Sequence, residues 1–230
     1  MLLKELREEV LEANLEIVRR GLVLYTFGNA SGIDRESGQV VIKPSGVPFE
    51  KLRPEDMVVT TLDGAIVEGG LKPSSDLDTH LELYKAFAGV GGVVHTHSTY
   101  ATAWAQAGHD IPCFGTTHAD YFYGPVPVTD PLDHADISGD YERNVGHAIV
   151  RTFEGRKPLD RPGILVRNHG PFVWGPTVTK AAMTAVLLEE IARIAAITVG
   201  LNPEAGPVDR ELLNRHFLRK HGSRATYGQG

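Results

Sequence analysis

The sequence has very little cysteine and no apolar run that could cross a membrane unbroken. Cys113 is the single cysteine among 230 residues, which excludes an intramolecular disulfide and is typical of a reducing compartment. The most apolar stretch, residues 181–199, contains Glu189, Glu190 and Arg193, so we expect a buried or interface helix there. The N-terminal residues are too acidic, and their apolar run too short, for a secretory signal peptide. We therefore expect a cytoplasmic protein.

The chain also lacks an excess of positive charge. Its formal net charge of −6 predicts no general attraction to nucleic acid or to an anionic membrane. A length of 230 residues with 42% apolar residues suits one α/β domain with a sizeable core, or at most two small domains. No tandem repeat or low-complexity linker divides the sequence.

Within residues 91–98, two histidines separated by one residue follow a short apolar segment. Val93 and Val94 indicate the end of a strand, and we expect His95 and His97 to continue along it. Because strand side chains alternate between faces, both imidazoles then project to one side, with Cα atoms about 6.6 Å apart. Two neutral imidazoles on one face can chelate a borderline-soft divalent ion such as zinc. The competing interpretation is two half-buried histidines with separate hydrogen bonds.

Three turns of small residues can present polar groups to an anion. Each follows a predicted strand or opens a predicted helix, where unpaired N–H groups favour negative charge. They are Gly28-Asn29, Ser45-Gly46 and Ser74-Ser75. Together with Lys43 they predict a phosphate cradle, although each turn alone is equally typical of an ordinary cap or hairpin.

Local patterns around these turns predict their secondary structure. Residues 23–27 and 39–42 are predicted strands. Ser75 and Asp78 have the Ser-x-x-Asp spacing of a capping box, which predicts that a helix begins there. Asp76 then lies in the first helical turn, where a carboxylate complements the helix dipole.

The second half of the chain supplies further titratable groups. Residues 115–124 mix polar and aromatic side chains without periodicity, which favours a functional loop with His118 and Asp120 as acid/base candidates. A predicted strand over 163–167 delivers His169 at its end, where a third imidazole can join the first pair. We also predict a strand over 126–128 and helices over 3–18, 98–106, 138–153, 177 or 179 to 199, and 208–221.

Taken together, five motifs resemble the class II aldolase/adducin family, and the resemblance spans nearly the whole chain. They are Gly-Asn at 28–29, Lys-Pro-Ser-Gly at 43–46, Lys-Pro-Ser-Ser-Asp at 72–76, His-Thr-His at 95–97 and Asn-His-Gly at 168–170. Residues 115–124 and the C-terminal segment resemble the sugar-phosphate epimerases of that family. The resemblance implies a single α/β domain over residues 1–230, with a mostly antiparallel sheet flanked by helices. It also implies a homotetramer with active sites at subunit interfaces, reached by residues 208–230.

The resemblance further implies a role for individual residues. Zinc, with Mn²⁺ or Co²⁺ as substitutes, is expected on Asp76, His95, His97 and His169. Substrate contacts are expected from Gly28, Asn29, Lys43, Ser45, Gly46, Ser74 and Ser75. Proton transfer is expected from Asp120 and from Tyr227 of a neighbouring subunit, with His216 as a further catalytic candidate. One departure is Arg167-Asn168 before His169, where some relatives have His-Ser.

The implied reaction interconverts L-ribulose 5-phosphate and D-xylulose 5-phosphate, a step of pentose breakdown such as arabinose catabolism. C4 is not adjacent to the carbonyl, so removal of its proton gains no enolate stabilisation. Cleavage of the C3–C4 bond instead gives an enediolate, which zinc would stabilise as a Lewis acid, and glycolaldehyde phosphate. The aldehyde rotates and adds back by its other face. Inversion needs proton-handling groups on opposed sides, which suits Asp120 and Tyr227; a nearby cation would help a phenol of pKa about 10 to act near neutrality.

Three other functions remain open on the sequence. A class II aldolase acting on fuculose or rhamnulose 1-phosphate shares the histidines but typically carries Glu in place of Asp76. A non-catalytic, adducin-like scaffold is opposed by the presence of all four ligand positions. The third alternative is a module that binds a phosphosugar without turnover.

Overall fold

The computed structural model describes residues 1–222 and 225–226. Its strands are β1 (Asn29–Asp34), β2 (Gln39–Ile42), β3 (Val58–Thr61), β4 (Ile66–Glu68), β5 (Gly92–His95), β6 (Gly163–Val166) and β7 (Gly170–Gly175). They form one seven-stranded sheet in the order β4-β3-β2-β1-β5-β7-β6, and every neighbouring pair is antiparallel.

Helices connect and cover the strands. They are α1 (Lys4–Arg19), α2 (Leu77–Ala86), α3 (Thr99–Ala107), α4 (Thr116–Ala119), α5 (His134–Ser138), α6 (Tyr141–Thr152), α7 (Val178–Leu201) and α8 (Arg210–His221). Short 3₁₀ turns lie at Phe49–Lys51, Pro54–Asp56 and Pro158–Asp160. None of the described helices is long and apolar enough to cross a bilayer.

The sheet separates the apolar side chains into two cores, because successive residues of a strand point to opposite faces. Val41 and Val94 pack on the side covered by α1, α3 and α7. Val40 and Val93 pack on the side covered by α2 and α6. Both faces are therefore buried, which explains why these strands are continuous apolar runs rather than alternating ones. The predicted α/β class and antiparallel sheet with flanking helices are confirmed.

The register of the central strands brings three polar segments to one end of the sheet. His95, the last residue of β5, lies opposite Asn29 on one side and Phe172 on the other. Because the strands are antiparallel, the end of β5 adjoins the beginning of β1 and of β7. The turns that lead into β1 and β7 therefore meet the histidine segment at this end.

Two predicted strands are wrong. Residues 23–27 form no strand, and β1 begins only at Asn29. Leu24 and Tyr25 are exposed, and Tyr25 has a φ of +53°, so the extended conformation is interrupted there, although Val23 packs against the core. Residues 126–128 contribute only isolated bridges, because Pro127 lacks an N–H and the Val128 N–H donates to Asp110 Oδ1 at 2.8 Å.

Several predicted helix boundaries also need correction. The capping box of Ser75 and Asp78 is wrong, since Asp76 is the N-cap of α2 and no side chain caps that helix. The segment 115–124 is not wholly irregular, since it contains the four-residue helix α4. The helix predicted over 138–153 is α6, which begins at Tyr141 rather than at residue 138. Helix α8 begins two residues later than predicted, after a cap by Asp209.

Candidate metal centre and substrate cavity

Three imidazoles from two segments meet at the end of β5. His95 ends the strand, His97 lies in the turn before α3, and His169 lies in the turn between β6 and β7. One ring nitrogen from each lies within 4.8 Å of the other two, and the Nε2 atoms of His95 and His97 are 3.0 Å apart. We call these three residues the imidazole cluster. The expectation that His97 continues the strand is wrong, yet its ring still converges with that of His95.

Backbone conformation brings the two histidine segments together. Asn168 has a φ of +61°, a left-handed conformation that asparagine tolerates better than most residues. It turns the chain directly before His169. A Cβ on Gly170 would lie 2.8 Å from the Thr96 carbonyl oxygen and 3.6 Å from Cε1 of His95. Only glycine therefore allows the Asn-His-Gly turn to approach the His-Thr-His segment this closely.

Burial favours the neutral, metal-binding form of His97 and His169, and a hydrogen bond orients the ring of His95. The Nδ1 atom of His95 lies 2.9 Å from the Pro171 carbonyl oxygen, which fixes the N–H there and leaves Nε2 facing the cluster. Phe172 stacks on this ring with centroids 4.1 Å apart. Burial and the neighbouring histidines lower the pKa of His169 to about 4, and they also lower the pKa of His97.

Asp76 lies beside the imidazole cluster but is not part of it. Its Oδ2 atom accepts a hydrogen bond from Asn29 Nδ2 at 2.6 Å, and no carboxylate belongs to the set of ligand atoms within 4.8 Å of one another in the described residues. Burial opposes ionisation of Asp76, but the nearby His95 and His80 rings and the Asn29 amide outweigh it and lower its pKa. The site thus contains an ionised carboxylate close to the imidazole cluster.

One cavity of about 390 Å³ is lined by every residue that the sequence analysis assigned to metal or substrate binding. The four expected metal ligands and all seven expected substrate contacts line it. The remaining lining residues are Thr26, Phe27, Tyr141 and Glu142. We call this space the site cavity.

The two Lys-Pro-Ser motifs pair with each other and build one wall of the site cavity. The Ser45 N–H donates to the Lys72 carbonyl at 2.9 Å, and the Ser74 N–H donates to the Lys43 carbonyl at 3.0 Å. These two amides are therefore already bonded, unlike the free N–H groups expected of the phosphate cradle. An anion at this wall would instead meet the serine hydroxyls and the Lys43 ammonium group.

Lys43 is a buried cation without a carboxylate partner among the described residues. Its side chain is 2% exposed. Its Nζ atom donates to the Pro44 carbonyl at 3.2 Å and lies 4.6 Å from the centre of the Phe49 ring. Burial lowers the pKa of Lys43 to about 8. A buried charge of this kind is costly unless it meets an opposite charge, so this residue favours an anionic ligand.

Tyr141 is a site residue that the sequence reasoning missed. Its phenol oxygen lies 3.4 Å from Nδ1 of His169, and burial raises the pKa of the phenol. In the sequence, Tyr141, Val145 and Ile149 recur at a spacing of four, which is typical of the packing face of a helix. Its ring does pack beside that core, so the periodicity concealed the polar end of the side chain.

Asp120 and His216 contact each other but do not line the site cavity of the same chain. Asp120 Oδ1 lies 3.0 Å from His216 Nδ1, and both carboxylate oxygens accept from Arg219 at 3.0 Å. Burial of Asp120 is outweighed by the hydrogen bonds from Arg219 and His216, which lower its pKa. Tyr227 lies outside the described residues.

Comparison with known proteins identifies relatives along nearly the whole chain. Residues 8–196 match the class II aldolase and adducin N-terminal domain. The L-ribulose-5-phosphate 4-epimerases UlaF of Salmonella paratyphi C and Salmonella choleraesuis are each 53% identical over 227 residues, covering 99% of this chain and 100% of the relative. Among solved structures, an L-fuculose 1-phosphate aldolase superposes with a TM-score of 0.79 at 25% identity, covering 92% of this chain and 94% of that one. The predicted resemblance is confirmed, and the chain belongs to the class II aldolase and adducin family.

Proposed function

We propose that this chain is an L-ribulose-5-phosphate 4-epimerase. It would interconvert L-ribulose 5-phosphate and D-xylulose 5-phosphate by cleaving C3–C4, rotating the aldehyde fragment and re-forming the bond. The observation that carries the proposal is a single cavity lined by the imidazole cluster and by a buried lysine that has no carboxylate partner in the described part of the chain. The relatives at 53% identity, which are named for this reaction, support the choice of substrate. We infer that residues 1–230 act as one domain in the cytoplasm.

The imidazole cluster fits a zinc ion in geometry and in chemistry. Two nitrogen ligands at about 2.0–2.1 Å from tetrahedral zinc are about 3.3 Å from each other. The observed 3.0 Å between the Nε2 atoms of His95 and His97 therefore needs an opening of only a few tenths of an ångström. Asp76 is the proposed fourth ligand. A divalent ion held by these residues would supply Lewis-acid stabilisation of the negative charge that develops on the substrate oxygens, and Mn²⁺ or Co²⁺ suits the same donors.

The phosphate end of the substrate is assigned to the opposite wall of the site cavity. Lys43 supplies the charge, and Ser45 and Ser74 supply hydroxyls beside it. Asn29, whose amide donates to Ser74 Oγ at 3.0 Å, orders this wall. An epimerase has to keep the aldehyde fragment bound while its carbonyl group rotates to present the other face. A buried cation that needs an anionic partner provides that retention.

Proton transfer is assigned to Asp120 and Tyr227, with His216 beside Asp120. Neither Asp120 nor His216 lines the site cavity of its own chain, which supports a shared site in which a neighbouring subunit contributes them. We infer a homotetramer with closed symmetry, in which residues 208–230 reach the neighbouring site.

The alternative function is a class II aldolase acting on fuculose or rhamnulose 1-phosphate. The structural likeness to an L-fuculose 1-phosphate aldolase favours it. That likeness accompanies 25% identity, against 53% for the epimerases. The epimerase is therefore the stronger proposal, and the aldolase defines the control measurement.

One assay separates the two functions. The purified protein is incubated with L-ribulose 5-phosphate, and D-xylulose 5-phosphate and free glycolaldehyde phosphate are followed together, with and without a chelator. We expect D-xylulose 5-phosphate without release of the aldehyde, loss of turnover with chelator, and recovery with added Zn²⁺. Accumulation of the aldehyde would indicate an aldolase, and no turnover with restored metal would reject both enzymes.

A mixing experiment tests the shared site. His97→Asn removes a metal ligand of the chain's own cavity and Asp120→Asn removes the group assigned to a neighbouring cavity, and each variant is expected to be nearly inactive. If the two residues act in one site but come from different subunits, hybrid oligomers contain some sites with both residues intact. Reassembled mixtures should then recover activity above either parent, and the absence of recovery would argue against a site built from two chains.

A further inference from the structure

We propose that Tyr141 is a positioning residue of the metal site. Its phenol oxygen accepts the Nδ1–H of His169, which leaves Nε2 of that ring for the ion. The inference rests on the proposed function in one respect, since it requires that the imidazole cluster takes a divalent cation.

A histidine that binds a metal through one ring nitrogen needs a partner for the other, because that partner fixes the tautomer and the orientation of the ring. His95 has such a partner in the Pro171 carbonyl at 2.9 Å. In the described part of the chain, the only group hydrogen-bonded to the His169 ring is the Tyr141 phenol, at 3.4 Å. The Tyr141 phenol is therefore the partner of Nδ1 in His169, as the Pro171 carbonyl is the partner of Nδ1 in His95.

The position of Tyr141 is itself well fixed. It is the first residue of α6, and its N–H donates to the Gly139 carbonyl at 2.9 Å. The next residue, Glu142, accepts a hydrogen bond at its carbonyl from Thr79 of α2. The Tyr141 ring packs against the apolar core between α2 and α6 and lies tilted by 33° to the His169 ring. A side chain held at a helix start by these contacts can hold another ring in place.

The separation sets the size of the expected effect. Ordinary hydrogen bonds to nitrogen span about 2.7–3.2 Å, so 3.4 Å is at the long end. Loss of such an outer partner typically costs about 10- to 100-fold in metal affinity. We therefore expect a loss of about tenfold, at the lower end of that range.

The test removes the hydroxyl and keeps the ring. Tyr141→Phe is compared with Tyr100→Phe, since Tyr100 is a tyrosine of α3 that does not line the site cavity. Its phenol makes no hydrogen bond among residues 1–222 and 225–226. The Zn²⁺ dissociation constant of each metal-free protein is measured by competition with a chelator. We expect it to rise about tenfold for Tyr141→Phe and to remain at the wild-type value for Tyr100→Phe.

A spectroscopic measurement separates positioning from a general loss of structure. In the zinc-loaded, ¹⁵N-histidine-labelled protein, the Nδ1–H proton of His169 should give a resonance that shifts or exchanges away in Tyr141→Phe. The corresponding signal of His95 should be unchanged, because its partner is a backbone carbonyl.

The outcomes are distinguishable. An unchanged dissociation constant with an unchanged His169 signal would overturn the role of Tyr141, as would an equal loss in Tyr100→Phe. A wild-type protein that binds Zn²⁺ but does not turn over L-ribulose 5-phosphate would reject the proposed function. The ratio of dissociation constants would still decide the role of Tyr141 in that case.

Discussion

Lys43→Met is expected to make the protein more stable and less active at the same time. Lys43 is 2% exposed, and within the described part of the chain its ammonium group has one hydrogen bond, to the Pro44 carbonyl at 3.2 Å. Methionine keeps a chain of similar length beside Phe49 and removes the charge. The substitution therefore separates the cost of burying a cation from its use in binding phosphate.

The magnitude follows from the pKa. Burial lowers the pKa of Lys43 from 10.5 to about 8, which corresponds to a folding penalty of about 3 kcal/mol at about 1.4 kcal/mol for each pH unit. Between pH 8 and 10.5 the unfolded chain holds this proton while the folded chain has released it, so stability rises with pH in that range. Below pH 8 both states are charged and the full penalty applies. Lys43→Met should therefore gain up to about 3 kcal/mol at pH 7 and little near pH 10.5.

The assay combines unfolding with kinetics. Urea unfolding of wild type and variant is measured at pH 7 and pH 10, at one protein concentration, and KM is measured for L-ribulose 5-phosphate. Loss of a charged hydrogen bond worth about 1.5–3 kcal/mol should raise KM by about 10- to 100-fold. Lys72→Met is the matched control, because Lys72 belongs to the other Lys-Pro-Ser motif and is exposed. It should change neither quantity appreciably.

Two results would refute this reasoning. If Lys43→Met is less stable than wild type at pH 7, or gains equally at both pH values, the buried ammonium group carries no desolvation penalty. If KM is unchanged, Lys43 does not bind the phosphate group, and the proposed orientation of the substrate is wrong.

Three further predictions test the scaffold. Gly28→Ala should lose about 1–3 kcal/mol and lower the melting temperature, because Gly28 has a φ of +87° and its Cβ would lie 3.0 Å from the His95 carbonyl oxygen; a wild-type melting temperature would contradict this. Burial lowers the pKa of His118 to about 4, so the free energy of unfolding should fall as the pH falls from 6.5 towards 4. The pH slope should be smaller in a His118→Gln variant, and an equal slope in urea unfolding would contradict this prediction. Glu189→Gln should lose about 0.5–1 kcal/mol in the same measurement, since the Glu189 carboxylate accepts two N–H groups of the first turn of α3 at 2.8 and 2.9 Å, and a stability equal to wild type would show that its charge contributes nothing.

The sequence predicted the site better than the secondary structure around it. The three histidines could be assigned to one site because each lies at the end of an apolar strand or in the turn after it, where a short motif indicates the chemistry directly. They are His95, His97 and His169. The resemblance to the family added Asp76 and the substrate contacts. The structure places all of these residues in the lining of one cavity.

The misjudged elements depend on packing that no local pattern records. Residues 23–27 have strand-like composition, yet the side chains of Leu24 and Tyr25 face away from any core. The opposite error concerns Tyr141, whose helical spacing gave a correct packing role and hid its contact with His169. Periodicity reports which face of an element is buried, and it is silent on what the polar atom of a buried side chain meets.

The roles proposed for the residues of the site cavity are the basis for proposing a site shared between two subunits. The imidazole cluster and Asp76 are assigned to the ion and Lys43 to the phosphate, which leaves Glu142 and Tyr141 as the other titratable residues in the lining. Inversion at C4 needs proton transfer from two opposed sides. Asp120, held at one end of α8 by Arg219 and His216, has a lowered pKa and so is ionised and able to accept a proton. Asp120 does not line the site cavity of its own chain, and the proposal that it serves the cavity of another subunit rests on this observation.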